Sequence, residues 1–534
     1  MEIELNPSRG YPIKSGRHCH CCHGGNPIES RLLELVLHTS QTHHIVLVLR
    51  SPCQSFGCII TRFQPVLAES PIILNTTKKA SSRTPNRRLM DTPVRDMPSH
   101  AQHLVHELLA EIFLFYQAEG HSPRGLPSHF LLGQVCSTWR HVVHSTPKLW
   151  TVFTFPRYRY RRREVEEVSF AKAWLSRAHP HPLYVAISST ITPVGTLSHV
   201  VDAILQSADR LQDLRLHLPF LQFQPLIALP AGSMTLLESV ELVVNTSNYV
   251  QEVQEVASWA QITAFAEAPR LQSVTLSSMR RGLFGFDIQM PWSQLTKLEI
   301  TEESLSANKC RDAFLKCTNL VDCTLTMDAW VGFIPSRPIV VLPQLRKLSV
   351  TFNGPAAPSG HLIPFFQPLN LPALKDLTVA TFGCAWSHQV FMEFMLRSSF
   401  DLECLCFICV EIRSDELLLV LPHMPSLIEL KIELTTFEGI NGRLFDALRY
   451  RAMGGPHLLP NLKKLFICES SGDGIDDNSI ANMIESRWWT DDVPREVMRI
   501  EDVYVRFDDR DIDVNVKERL EHCRQEGLIL HLLN

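Results

Sequence analysis

The chain has 534 residues, 45% of them hydrophobic and 20% charged, with a formal net charge of −5. That length exceeds one ordinary compact core, and that composition excludes a chain disordered throughout, so several domains or a repeat array are expected. The near-balanced charge carries no global signature of nucleic-acid binding, and no run approaches the roughly 18 apolar residues of a transmembrane helix.

Residues 1–97 show only brief apolar periodicity, and Pro, Ser, Thr and Arg dominate from Ser70 to Pro98, which predicts a poorly ordered segment. The opening Met-Glu-Ile-Glu lacks the pattern of a secretory signal, so the 15 scattered cysteines read as buried free thiols rather than a disulfide framework. A soluble cytoplasmic or nuclear protein is expected. The tract His18-Cys19-His20-Cys21-Cys22-His23 carries six potential metal ligands. Structural zinc sites space their ligands in pairs across a folded loop, and adjacent residues cannot all reach one tetrahedral ion. Even counting Cys53 and Cys58 as a second pair, no metal or other cofactor is expected.

The segment from Leu104 to Phe113 predicts an amphipathic helix with Leu104, Leu108 and Ile112 on one stripe. His103, His106 and Glu107 fit neither order of the zinc-protease motifs. Further on come Val135-Cys136-Ser137-Thr138-Trp139-Arg140 and Pro147-Lys148-Leu149-Trp150. A Leu-x-x-Glu-Leu-Leu helix, a Val-Cys-x-x-Trp-Arg helix and a Pro-x-Leu-Trp exit together resemble the F-box, in the form found in large fungal F-box families. The resemblance covers Ser99 to Phe155, within a domain placed at 98–156. It implies a small all-helical module that docks on a Skp-type adaptor and through it on a cullin. Leu104, Glu107, Leu108, Ile112, Val135, Cys136, Trp139, Leu149 and Trp150 would then hold adaptor-binding or module-core positions. So small a module cannot bury two tryptophans and a leucine stripe alone, so a partner helix is expected to cover them. Where the family usually has proline after the first leucine, this chain has Val105.

The basic run Arg157 to Arg163, read as solvated linker rather than a nucleic-acid patch, falls in 157–180, a segment expected to be linker or helix. From 181 to 534 one pattern organises the chain: an apolar residue, two variable ones, an apolar residue, one variable, an apolar residue. It recurs eleven times, beginning at Leu211, Leu237, Leu271, Leu295, Leu320, Leu345, Leu374, Leu402, Leu427, Leu462 and Ile500, at spacings of 24 to 38 residues that overlap and exceed those of leucine-rich repeats. The last two apolar positions share one face of a strand, and the residue between them points outward. Leu183, Val185 and Ile187 alternate ahead of the first copy as a capping strand, and Leu528 to Leu533 closes the array.

Helical spacing between copies, as at Val200/Ile204, Phe391/Phe394/Met395 and Ile480/Met483/Ile484/Arg487, predicts that each unit is a helix followed by a strand. Pro269, Pro343, Pro372, Pro425 and Pro460, two residues before the motif, are read as ending the helix and setting extended backbone. Stacked units give an α/β solenoid whose parallel sheet lines the concave side of an arc, roughly 50 Å long for eleven strands.

The outward positions Arg215, Glu241, Thr275, Glu299, Thr324, Ser349, Thr378 and Lys431, with Cys406, Phe466 and Tyr504, are the candidate substrate-binding residues. Cys404, Cys406 and Cys409 read as thiols of one strand, and Asp473, Asp476 and Asp477, which lack EF-hand spacing, as a loop. No phosphate loop, dinucleotide fingerprint or nucleophile elbow occurs, so no catalytic residue is assigned. The expectation is the substrate-recognition subunit of a Skp-cullin-F-box ubiquitin ligase. The alternative is a ligase-independent binding scaffold with a degenerate F-box.

Overall fold

A computed structural model describes residues 104–118, 128–155 and 164–188, most of 196–533, and three strands nearer the N-terminus. The chain forms two compact units, 1–112 with 136–142, and 113–135 with 143–534.

In the first unit the β-branched and apolar runs make β1 (Glu34–Thr39), β2 (Ile45–Arg50) and β3 (Ile72–Leu74). They pair antiparallel in the order β2-β1-β3, with Val36 opposite Val48 and Ile73. These strands lie within the segment 1–97. The His18–His23 tract lies outside the described residues, as do Cys53 and Cys58. Three helices follow in the chain, α1 (His106–Ala118), α2 (Ser128–Leu132) and α3 (Ser137–Ser145), of which α2 belongs to the second unit and α1 and α3 have residues in both.

The strands of the second unit, in chain order, are β4 (Val152–Phe155), β5 (Leu183–Ser188), β6 (Leu211–Leu218), β7 (Ser239–Val244), β8 (Ser273–Ser278), β9 (Lys297–Glu302) and β10 (Asp322–Asp328). Then come β11 (Val340–Val341), β12 (Lys347–Asn353), β13 (Leu369–Asn370), β14 (Asp376–Thr381), β15 (Cys404–Ile408), β16 (Glu429–Glu433), β17 (Lys464–Glu469), β18 (Asp502–Phe507) and β19 (Ile529–Leu533). β11 and β13 pair only with each other. The remaining fourteen form one parallel sheet in which each strand lies beside its successor. All eleven motif copies contribute a strand. β5 and β19 extend the sheet where capping elements were expected, and β4, inside the segment read as F-box, adds an edge the repeat pattern did not announce.

Period-two alternation sorts the side chains. Val240, Val274, Leu298, Cys323, Leu348, Leu377, Leu405, Leu430, Leu465 and Val503 are in register and fully buried, and a second inward ladder two residues later runs from Leu216 to Val505. The first motif residue, from Leu211 to Ile500, is buried in every copy.

The prolines act differently from expectation. In Ala268-Pro269-Arg270-Leu271 the Leu271 N–H donates to the Ala268 carbonyl at 3.3 Å, and the same bond closes the turns at Pro343, Pro372, Pro425 and Pro460. Each proline is therefore the second residue of a β-turn, where its fixed φ is already correct. After each turn, one carbonyl of the preceding unit accepts two successive N–H groups. Glu238 receives Gln272 and Ser273, Arg346 receives Lys375 and Asp376, and Ile428 receives Lys463 and Lys464.

The helix-then-strand unit is also less regular than the spacing suggested. Helices α4 (Glu164–Arg177), α5 (Thr196–Leu205), α6 (Gln224–Ile227) and α7 (Ala307–Lys316) precede β5, β6, β7 and β10. Helices α8 (His388–Ser398), α9 (Ser414–Val420), α10 (Gly442–Leu448), α11 (Asp477–Arg487) and α12 (Val514–Gln525) precede β15 to β19 in turn. Between β10 and β14 the described residues are helical only at Phe365 and Phe366. Val340, Leu342, Leu369 and Leu371, on and beside β11 and β13, are buried there with Phe365 and Phe366.

Buried polar groups tie the helical layer to its neighbours. Arg487, fully buried at the end of α11, donates to the carbonyls of Leu448, Leu459 and Leu458 at 2.6, 3.0 and 2.6 Å. Two of the aspartates read as a loop begin α11 instead. Asp476 caps it, accepting from the Asn478 N–H at 3.0 Å, and Asp477 accepts from Arg510 and the Asp513 N–H, both at 2.7 Å. Asp473 lies outside the described residues.

Candidate protein-binding face

The inward ladders leave one row of side chains on the opposite face of the sheet. Strand register places Ala186, Arg215, Glu241, Thr275, Glu299, Thr324, Ser349, Thr378, Cys406, Lys431, Phe466, Tyr504 and His531 side by side, so every outward candidate falls in a single row. Thirteen strands at about 4.8 Å give the row a length of roughly 60 Å. Only Cys406 departs from the accessible pattern, being buried.

The row divides into three chemical zones. At its start Arg215 makes a bidentate pair with Asp213, 2.9 Å from each carboxylate oxygen, and His217 lies 2.7 Å from Glu241. The hydrogen bond to Asp213 raises the Arg215 pKa further, so these charges answer one another. In the middle, Thr275, Thr324, Ser349 and Thr378 are joined by Ser277, Thr301, Thr326 and Thr351 from the next outward row, all half-buried. Glu299 is the one carboxylate among them in the candidate row. The row on the other side alternates Lys297, Asp322, Lys347 and Asp376, with a Lys347 to Asp376 ion pair at 3.3 Å that raises the lysine pKa.

The third zone begins with thiols and ends in aromatics. Burial pushes the Cys404 thiol up to about 12 and the Cys406 thiol up to about 11, so both stay protonated at neutral pH and neither is a ready nucleophile or metal ligand. Beyond them the Phe466 and Tyr504 rings stack with centroids 4.2 Å apart, Lys431 Nζ sits 4.6 Å from the Phe466 centroid, and His531 is 6.0 Å from Tyr504. His217 and His531 were not singled out from the sequence. Their signal was only that they occupy outward positions of strands.

The F-box candidates separate by exposure. Leu104 precedes α1 and is half-buried, Glu107 is exposed in its first turn, Leu108 is 54% exposed and Ile112 is half-buried, whereas Leu109 and Phe113 are buried. Val135 is 51% exposed. Cys136 and Trp139 are half-buried at the start of α3, the Trp139 N–H donating to Cys136 Sγ at 3.4 Å.

Leu149 and Trp150, by contrast, are core side chains. Trp150 Nε1 donates to the Val143 carbonyl at 2.8 Å, Trp174 Nε1 donates to the Trp150 carbonyl at 2.6 Å, and the two indoles meet edge to face at 4.9 Å. The cover expected from a partner helix thus comes, for Trp150, from α4 of the same chain. His129 completes this cluster, 4.7 Å from Trp150 and 4.9 Å from Trp174, with no exposed surface and no hydrogen-bond partner for either ring nitrogen among the described residues. Burial first, and then the nearby His144, lower its pKa to about 4. The basic run Arg157–Arg163 lies outside the described residues.

Among the described residues no helix is long and apolar enough to cross a membrane. No protein-family model matches the chain, and no curated protein is significantly similar to it.

Proposed function

We propose that the chain is the substrate-recognition subunit of a Skp-cullin-F-box ubiquitin ligase. In this reading the F-box-like segment holds a Skp-type adaptor, and a leucine-rich-repeat solenoid holds a protein substrate on its outward row. No residue performs chemistry. Holding adaptor and substrate on one chain makes ubiquitin transfer effectively intramolecular, which raises the local concentration of substrate without any new bond-making group.

The observation that carries the reading is the exposure of Leu108. Helix α1 buries Leu109 and Phe113 yet leaves Leu108 in solvent, in a segment that resembles the F-box. An exposed leucine on a helix whose own core is already supplied fits contact with a partner. The outward row supports the second half, since it offers a long face of side chains from consecutive strands in one register.

The test is capture of a purified Skp-type adaptor by the full chain. Leu108→Arg places a charge in an apolar interface, and the free protein leaves that charge solvated, so adaptor binding falls while thermal unfolding is unchanged. Trp150→Ala removes a buried indole, lowers stability by about 3–5 kcal/mol and loses binding through the fold. A parent chain that binds no adaptor sinks the ligase reading.

A further inference from the structure

We infer that the end of the outward row formed by Lys431, Phe466, Tyr504 and His531 is the specificity-determining subsite for the bound protein, and that it receives a neutral aromatic side chain exposed on that partner. The inference rests on the outward row being the partner-binding face.

The four residues are consecutive members of one register. The Phe466 and Tyr504 planes are 10° apart at 4.2 Å, a parallel stack running from strand to strand. Rings stacked in that direction stand on edge to the sheet. Both faces of Phe466 are therefore taken, one by Tyr504 and the other by Lys431 at 4.6 Å. What reaches solvent is ring edge, the positive end of the aromatic quadrupole.

That geometry discriminates among partner groups. A cation seeks an electron-rich ring face, and Phe466 has none free. An anion meets Glu429, Glu433 and Asp502 on the adjoining outward positions, while Lys431 and Lys464 are already paired with Glu433 and Glu429 at 3.7 and 3.6 Å and Arg506, two residues after Tyr504, is engaged as well. A neutral aromatic ring laid face-on across the two edges makes edge-to-face contacts with both. The Tyr504 hydroxyl and the exposed His531 beside it offer hydrogen bonds to the partner's backbone. The other zones offer weaker anchors, because Arg215 is paired internally and serine and threonine are scarce among residues that dominate protein interfaces.

The test pans a random peptide library on the full chain and measures selected peptides by fluorescence anisotropy against the parent, Tyr504→Ser and Thr324→Ala. The expected peptides share a tryptophan, tyrosine or phenylalanine. Tyr504→Ser weakens them about tenfold or more, and Thr324→Ala, in the hydroxyl zone, changes them less than about twofold. Thermal unfolding of each variant separates lost contact from lost fold, and His531→Ala, at an exposed position, gives the same readout if Tyr504→Ser unfolds. No enrichment, enrichment of charged residues without aromatics, or equal weakening by Thr324→Ala overturns the inference. Adaptor capture on the same samples keeps the two proposals apart: a parent that selects aromatic peptides but binds no adaptor loses the ligase reading and keeps this subsite.

Discussion

Replacing Arg487 with methionine tests whether a buried cation, rather than apolar packing alone, locks the C-terminal units together. The substitution keeps the stem that fills the space beneath α11 and removes the guanidinium that donates to three carbonyls at 2.6 to 3.0 Å. Two effects oppose each other. Burial lowers the Arg487 pKa to about 10, and relief of that desolvation returns about 3 kcal/mol. Against it, three hydrogen bonds to a charged donor at about 1.5–3 kcal/mol each are lost, and of their acceptors the Leu459 carbonyl keeps the Leu462 N–H as a donor. One of them, the Leu459 carbonyl, belongs to a residue at φ 48, a backbone conformation that a branched side chain adopts only when its surroundings hold it there. The balance is a loss of about 3 kcal/mol. Arg487→Lys loses less, because an ammonium still reaches some of the three acceptors. Urea unfolding gives the magnitude, and hydrogen exchange shows whether protection falls first around Leu448, Leu458 and Leu459. Unfolding of Arg487→Met within about 0.5 kcal/mol of the parent would refute the argument, since that is the ordinary scatter of a surface change.

Two further outcomes follow from the core. The folded pKa of His129, about 4, lies below its unfolded value of 6.5, so the unfolded chain takes up the proton first as pH falls. Its contribution is fully present above pH 6.5 and erodes as the pH drops through 4, by about 3 kcal/mol in all, while His129→Phe loses this dependence and is more stable at pH 7. Urea midpoints for both chains at pH 7 and pH 4.5 decide it, and parallel pH profiles would contradict the assignment. Leu377→Asp places a carboxylate in mid-sheet between Leu348 and Leu405 and lowers stability by more than about 4 kcal/mol. Because neighbouring units share that ladder, hydrogen exchange accelerates in β12 and β15 together with β14, and a change confined to β14 would count against a cooperative array.

The sequence by itself determined the strands of the eleven motif copies, their order and their faces. From Leu211 to Ile500 the spacing of apolar residues was enough to pick out the buried positions, because a strand has period two and a one-residue slip would turn every leucine to solvent. It also isolated the outward row, since whatever lies between two inward residues points the other way. Tertiary structure alone decided what those residues mean to one another. Phe466 and Tyr504 are 38 positions apart in the chain and become a stacked pair only once β17 and β18 pair. Arg487 looked like one more helical stem, and its role depends on carbonyls 28 to 39 residues away. The prolines were read as helix ends because proline disrupts helices generally; the hydrogen bond that closes each β-turn is invisible in composition. Trp150 lacks cover within its own segment because Trp174, which covers it, lies 24 residues downstream in the segment expected to be linker or helix. Local periodicity reports which face a side chain takes, whereas the identity of its neighbour depends on register, and register is set only when the whole sheet assembles.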